Sequence, residues 1–71
     1  MQISARNQLK GTIKTVKQDG IMAEIVVELL GGQEVVSVIT LGSAQELNLQ
    51  AGDAVVAIIK STDVMILSQA D

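Results

Sequence analysis

A short polar stretch near the start of the chain holds the residue types best suited to binding an anion. Residues 3–9 include Ser4 and Arg6, and Arg6 is the only Arg among the 71 residues. Its guanidinium is planar, always charged and carries several N–H donors in a fixed arrangement that fits oxyanions. Near the other end of the chain, Lys60 supplies a positive charge and Ser61 supplies a hydroxyl or a backbone amide. We interpret the two stretches as the halves of a small oxyanion site.

Two further hydroxyls, those of Thr40 and Ser43, lie where the sequence predicts that a strand passes into a helix. The N-terminus of a helix attracts anions, because its first backbone N–H groups are unpaired and its dipole is positive there. Each candidate residue also has an ordinary structural explanation. An Arg near a terminus is commonly solvated, Lys60 suits a solvated strand end, and Ser43 suits a helix cap.

The composition argues against an enzyme and against a metal centre. The chain has no His, Cys or Tyr, which removes the usual acid–base and thiol groups of catalysis. Lys60 and Ser61 are not expected to act as a catalytic Ser–Lys pair, because neighbours on a strand point to opposite faces. The Asp and Glu residues show no spacing that would bring them together around a cation. We therefore expect no catalytic residues, no cofactor and no metal held by direct coordination.

Charge and hydropathy restrict the partners of the chain. Five basic and 8 acidic residues give a net charge of −3, which disfavours nucleic-acid backbones and anionic membrane surfaces. Proteins that bind single strands stack bases on aromatic side chains, and the chain has no Phe, Tyr or Trp. No apolar run reaches the roughly 18 residues of a membrane span, and the N-terminus lacks a signal-peptide pattern. The expectation is a cytoplasmic protein with no nucleic-acid partner and no membrane partner.

The alternation of apolar and polar residues predicts an all-β protein. Asp19-Gly20 and Gly31-Gly32 are turn signals between strand-like runs. A capping box at Ser43–Glu46 predicts a short helix that runs through Leu49. The predicted strands cover residues 8–18, 21–30, 33–40, 54–60 and 62–67. Five strands with one short helix between the third and the fourth are the outline of an OB-like barrel.

Strand periodicity also assigns side chains to faces. In the second strand, the odd-numbered residues of 21–29 are all apolar and are predicted to face the core. In the first strand, Ile13 and Thr15 are predicted to share one side, with Val16 on the other. Gly11 leaves room in this strand for a bend or for the close approach of another segment.

The later strands are apolar on both faces, which a domain of this size can hardly bury by itself. Small domains are usually stabilised by disulfides, metals or oligomerisation. The chain is 48% hydrophobic but has no Cys, no His and no aromatic residue. We therefore predict that the outer face of the later strands meets another subunit.

Three segments resemble the motifs of one family, the molbindins, which are small Mop-type molybdate-binding proteins of the TOBE family. Residues 3–11 (ISARNQLKG) are similar to its opening motif and residues 38–47 (VITLGSAQEL) to its middle motif. Residues 52–65, with GD and AIIKST, look like its closing motif. The segments come in the same order and at matching spacing. The resemblance implies that residues 1–71 form a single Mop domain.

This resemblance implies an OB-like barrel that assembles into a homo-hexamer, a trimer of dimers, whose N-terminal strand is shared between subunits. It implies that molybdate or tungstate binds at the subunit interfaces, for intracellular molybdenum storage or homeostasis. The ligand residues that it implies are Ser4, Arg6, Thr40, Ser43, Lys60 and Ser61. Thr40 and Ser43 would come from one subunit. Ser4, Arg6 and Lys60 would come from its partner.

A second kind of site at subunit junctions is also implied by the resemblance, near Ala5 and Asn7. An alternative function is that of a structural or regulatory oligomerisation module, which senses the anion for a partner protein. Larger transporter ATPases and transcription regulators carry similar domains. The present chain is too short for a nucleotide site or a DNA-reading unit of its own.

Overall fold

A computed structural model describes residues 2–69 of the chain. This part forms one curled antiparallel sheet with the strand order β3-β2-β1-β4. Its elements are β1 (Asn7–Asp19), β2 (Met22–Leu29), β3 (Glu34–Thr40), α1 (Leu41–Glu46), β4 (Ala54–Ile59) and a 3-10 helix (Ser61–Asp63). The prediction of an all-β protein with one short helix between the third and fourth strands is confirmed. The predicted number of five strands is not confirmed, because the sheet has four.

The core of the described part is small and is built around β2. Ala23, Ile25 and Val27 of this strand are buried, together with Ile13 of β1 and Ala44 of α1. Their spacing of two residues along β2 places them on one face of the sheet. The prediction that the odd-numbered residues of this strand face the core is thus confirmed at its centre.

Ile21 is the exception, and the prediction that it faces the core is wrong. Asp19 pairs with Met22, so Gly20 and Ile21 are the two loop residues of a hairpin rather than part of a strand. Gly20 has a φ of 62°, which glycine adopts at little cost in such a turn. Ile21 therefore points outward and is 82% exposed.

A β-bulge in β1 changes the face that each later residue of this strand occupies. Ile13 pairs with Val27, but the next recorded pair joins Thr15 to Val26, so Lys14 is the extra residue. One inserted residue inverts the alternation beyond it. Thr15 is consequently exposed and Val16 half-buried. The prediction that Thr15 shares a face with Ile13 is wrong for this reason.

The predicted fifth strand over residues 62–67 is not formed within the chain. Residues 61–63 make a 3-10 turn, in which the amide of Asp63 donates to the carbonyl of Lys60 at 2.9 Å. Residues 64–69 have no regular secondary structure. A strand needs a neighbour for its backbone hydrogen bonds, and periodicity alone does not supply one. The described part is therefore an open sheet of four strands rather than the expected five-stranded barrel.

Helix α1 begins earlier and ends earlier than predicted. Thr40, and not Ser43, is its N-cap, because the Thr40 side chain accepts a hydrogen bond from the amide of Ser43. The helix ends at Glu46 instead of reaching Leu49. Asn48 takes a left-handed φ of 52° there, and the amide of Leu49 donates to the carbonyl of Ala44 at 3.1 Å. This is the bonding pattern of a Schellman C-terminus.

Strands β3 and β4 are apolar on both faces, as the sequence predicts. On the inner face they line the open side of the core, with residues such as Val35 and Val55 half-buried. On the outer face, Val38 is 61% exposed and Ile58 is 48% exposed. The contact of this outer face with another subunit remains a prediction.

We expect Gly11→Ala to destabilise the fold, because β1 passes its neighbour too closely for a side chain. A Cβ at Gly11 would lie 2.6 Å from the carbonyl oxygen of Glu28 and 2.7 Å from Cγ1 of Val27. Gly11 is paired on both sides, with Leu29 and with Val55, so the strand has little freedom to shift. Overpacking of this kind costs about 1–3 kcal/mol, measurable by denaturant titration of the ligand-free protein.

Gly42 provides the matched control for this substitution. It lies in α1, and no atom lies within 4 Å of the position its Cβ would take. Because Ala is a better helix former than Gly by about 1 kcal/mol, Gly42→Ala should leave stability unchanged or raise it. Equal losses of stability in the two variants would show that the close approach at Gly11 does not cause the destabilisation.

Candidate functional site

The first half of the candidate site forms where the ends of β1 and β4 meet. Asn7 pairs with Ile59, so the residues before β1 lie beside those after β4. Ser4, Lys60 and Ser61 accordingly line one pocket of about 420 Å³. At the first position of the 3-10 turn, the amide of Ser61 has no acceptor within the turn. The pocket thus collects a cation, two hydroxyls and a backbone donor from two distant parts of the sequence.

Ile3, Ala5, Ile58 and Thr62 complete the lining of this pocket. The ligand set implied by the resemblance omits Thr62, whose hydroxyl is a further candidate. Its position directly after Ser61 in the same turn is the signal that could have identified it. Ala5, predicted near a second kind of site, also lines this pocket, and its carbonyl accepts a 2.8 Å hydrogen bond from Gln8.

Thr40 and Ser43 form a second, separate cluster at the start of α1. The amide of Ser43 donates to Oγ1 of Thr40 at 3.1 Å, and the hydroxyl of Thr40 donates to Oγ of Ser43 at 2.8 Å. With the hydroxyl proton of Thr40 engaged in this way, the hydroxyl proton of Ser43 is the one left to donate outward. The two side chains are exposed and together present a polarised donor to an approaching anion.

These two clusters lie at opposite ends of the sheet in one chain. Thr40 pairs with Met22, which is paired with Asp19 at the end of β1, whereas the first pocket adjoins Asn7 at its beginning. With 13 residues in β1 and ~3.3 Å per residue, the two ends of a straight strand are about 40 Å apart. A molybdate-sized anion cannot contact both clusters of one chain.

Arg6 is exposed and does not line the first pocket. Its guanidinium makes no hydrogen bond or ion pair with any residue of 2–69. Lys14, by contrast, is held by Glu34, since Nζ and Oε2 lie 2.6 Å apart. That hydrogen bond and the charge of Glu34 raise the pKa of Lys14, so Lys14 is committed to a carboxylate and Arg6 is free for an external partner.

Asn7, the other residue predicted near a second kind of site, begins β1 and is half-buried opposite Ile59. Within the described range 2–69, no three acidic, His or Cys residues are grouped so that they could hold a metal ion. None of the helices found in that range has the length and apolar character needed to cross a membrane.

Comparisons with known proteins place these features in a wider group. The TOBE domain model matches residues 3–66. Molybdenum-pterin-binding protein 3 of Clostridium pasteurianum is 52% identical over 68 residues, which are 96% of this chain and 100% of that protein.

Two solved structures show the same fold. A molybdate-binding protein from Sporomusa ovata superposes with a TM-score of 0.90 at 40% identity, covering 96% of this chain and 100% of that one. The cytoplasmic molybdate-binding protein ModG, with molybdate bound, gives a TM-score of 0.83 at 39% identity. That match covers 86% of this chain and 43% of the ModG chain.

Proposed function

Because the chain belongs to the TOBE domain family, among its small Mop-type molybdate-binding proteins, we propose that it binds molybdate at sites shared between subunits. One observation carries the proposal that the sites are shared. Ser4, Lys60 and Ser61 meet in one pocket, while Thr40 and Ser43 bond to each other at the far end of the sheet. A second copy can bring its Thr40 cluster to the first pocket, whereas a single chain cannot bring its own.

The chemistry of the proposed ligand residues suits a tetrahedral dianion. Arg6 and Lys60 supply positive charge, and the hydroxyls and the amide of Ser61 supply directed donors. Charge-assisted hydrogen bonds of this kind are shorter and roughly twice as strong as neutral ones. The proposed ligand set contains no carboxylate, so none of the assigned side chains carries a negative charge. We assign the ligand roles to Ser4, Arg6, Lys60 and Ser61 of one subunit and to Thr40 and Ser43 of its partner.

We also propose a cellular role, a second ligand and an assembly for the protein. The protein acts without catalysis, as a store or buffer of molybdenum in the cytoplasm, the compartment named for ModG. Tungstate is accepted as well, because its size and charge nearly match those of molybdate. The subunits form a hexamer in which neighbouring chains complete the OB-like barrel, and a second kind of site lies at subunit junctions near Ala5 and Asn7.

Titration calorimetry with molybdate, with sulfate and phosphate as controls, tests whether the anion binds at all. We expect tight, saturable binding of molybdate and little heat from either control. A folded protein that gives no heat with molybdate would contradict the binding function. It would leave a structural module that assembles oligomers as the better description.

A mixing experiment tests whether the site is shared. We expect Thr40→Val and Lys60→Ala to abolish most molybdate binding when each variant is prepared alone. When the two variants are co-expressed with different tags, each mixed dimer has one site with both substitutions and one site with neither. Binding should therefore reappear in the doubly purified mixed species.

A mixture of two differently tagged Lys60→Ala chains is the control for this experiment. Two chains that both carry Lys60→Ala, with the two different tags, form dimers in which each site retains the substitution, and these should stay inactive. If the Thr40→Val and Lys60→Ala mixture stayed equally inactive, the two chains would not complement each other, and the shared site would be ruled out.

A further inference from the structure

The amide of Leu41, at the junction between β3 and α1, donates a hydrogen bond to the carbonyl of Ile21 at 2.7 Å. Thr40 is the last residue of β3 and pairs with Met22 at the start of β2. The bond from Leu41 therefore continues the ladder between β2 and β3 by one step, into the loop of the β1–β2 hairpin. It joins the tip of this hairpin to the first residue of the helix.

The turn of the β1–β2 hairpin determines where the carbonyl of Ile21 points. Gly20 has a positive φ of 62° and Ile21 does not, which fits a two-residue type II′ turn with Gly at its first central position. No atom lies within 4 Å of the position that a Cβ of Gly20 would take, so Gly is needed here for its backbone conformation and not for space. The side chain of Ile21 is 82% exposed, so this residue is held through its backbone.

The junction lies between the two hydroxyls of the Thr40 cluster. Thr40 belongs to β3 and Ser43 to α1, so the direction in which the helix leaves the strand decides how the two side chains are presented together. The first amides of a helix have no acceptor within the helix itself. Thr40 supplies an acceptor for the amide of Ser43, and Ile21 supplies one for the amide of Leu41. The hairpin tip thus fixes the start of α1 on one side, while buried Ala44 fixes the helix on the side of the core.

We infer that Ile21, through its backbone carbonyl, is a positioning residue for the anion-binding hydroxyls of Thr40 and Ser43. The inference rests on the proposed function, in which these two hydroxyls are ligands. With the bond from Leu41 intact, the start of the helix is held in the one orientation that presents both hydroxyls. Without this bond, that orientation is populated for a smaller fraction of the time, and the apparent affinity for the anion falls by the same fraction.

Leu41→Pro removes this hydrogen bond at a position that otherwise suits Pro. Leu41 is the first residue of α1, where Pro is favourable, and Thr40 already has the extended conformation (φ −68°, ψ 147°) that a residue before Pro adopts. The matched control is Leu41→Ala, which keeps the amide but loses the packing of the Leu side chain against the core. We expect molybdate binding to be about two- to ten-fold weaker in Leu41→Pro than in Leu41→Ala, the effect of one lost hydrogen bond. Equal affinities in the two variants would overturn the inference.

Hydrogen exchange of the Ser43 amide in the ligand-free protein is a readout that does not depend on molybdate. This amide donates to Oγ1 of Thr40 at 3.1 Å, so its exchange rate reports on the cluster itself. We expect faster exchange in Leu41→Pro than in Leu41→Ala. If the unsubstituted protein bound no molybdate, the proposed function would fail, but faster exchange would still support the positioning of the two hydroxyls by Ile21. Equal exchange rates would overturn it.

A second pair of variants changes the turn and leaves the helix intact. Gly20→Ala and Gly31→Ala both place Ala at a positive φ, 62° and 97°, with no atom within 4 Å of the new Cβ. Gly31 lies in the loop between β2 and β3, at the opposite end of β2 from Ile21, so Gly31→Ala adds backbone strain without disturbing the Ile21 carbonyl. We expect weaker molybdate binding and faster exchange of the Ser43 amide in Gly20→Ala alone. The same behaviour in both variants would contradict the positioning role.

Discussion

Replacing Arg6 with Ala should weaken molybdate binding by about ten- to a hundred-fold, since a hydrogen bond to a charged group contributes about 1.5–3 kcal/mol. The fold of the ligand-free protein should not change. Arg6 is exposed and bonds to no other side chain within residues 2–69, so its loss leaves no buried group unpaired. Calorimetry gives the affinity, and a thermal melt of the same sample gives the stability.

Lys17→Ala is the control that distinguishes a direct contact with the anion from an effect of the net charge of the protein. Lys17 is exposed on β1, near the end opposite the first pocket, and the substitution removes the same unit of charge. At physiological ionic strength the field of an exposed charge is screened beyond about 8 Å, so binding should change less than two-fold, about 0.4 kcal/mol. Similar losses in Arg6→Ala and Lys17→Ala would show that Arg6 acts through net charge and is not a ligand.

Ile13→Ala should lower the free energy of unfolding by about 2–5 kcal/mol, the usual cost of truncating a buried Ile. Ile13 is 2% exposed and contacts the core around Ile25 and Val27. Its own backbone also anchors the loop before β4, because its amide and its carbonyl bond to Asp53 and Gly52 at 2.9 and 2.8 Å. A cavity at this point therefore loosens the sheet where β1, β2 and the loop meet.

The control for Ile13→Ala is the same change at Ile21, which is exposed at the tip of the β1–β2 hairpin. Surface substitutions of this kind usually alter stability by no more than about 0.5 kcal/mol. Both variants should be compared by denaturant titration at one fixed protein concentration, because the stability of an oligomer depends on concentration. A loss at Ile21 as large as the loss at Ile13 would mean that the hairpin tip is buried in an assembly.

Local patterns predicted much of the sheet. The hairpin at Gly20 and the buried face of β2 follow from turn chemistry and from the period of two, which are properties of a few adjacent residues. The bulge at Lys14 was not predicted, because it depends on how β1 fits β2 and not on β1 alone. The fifth strand failed for a related reason. The segment 64–67 has the composition of a strand, but pairing also needs a neighbouring strand, and none in the described range 2–69 pairs with it.

The residue types of the candidate site were predictable from the sequence, but their relative positions were predictable only in part. Ser4, Lys60 and Ser61 were expected together, and the meeting of β1 and β4 brings them into one pocket. The capping box with Glu46 predicts Ser43 as the helix cap, yet Thr40 caps the helix. Either hydroxyl could cap a helix by the local N-cap preference. Thr40 does so because β3 ends at this residue. Arg6 does not line that pocket.

The bond between Thr40 and Ser43 restricts which amino acids can be substituted at position 40. The cap of α1 requires a side chain that accepts a hydrogen bond, which Ser, Thr, Asp and Asn provide. To leave the hydroxyl proton of Ser43 for the anion, the side chain at position 40 must also donate a hydrogen bond to Oγ of Ser43, and it must carry no negative charge, which removes Asp. Only three amino acids therefore satisfy both requirements, and a library of all substitutions at Thr40, sorted by stability and then by molybdate binding, should retain Ser and Asn beside Thr. The stability of the helix and the recognition of the anion are in this way selected through a single side chain.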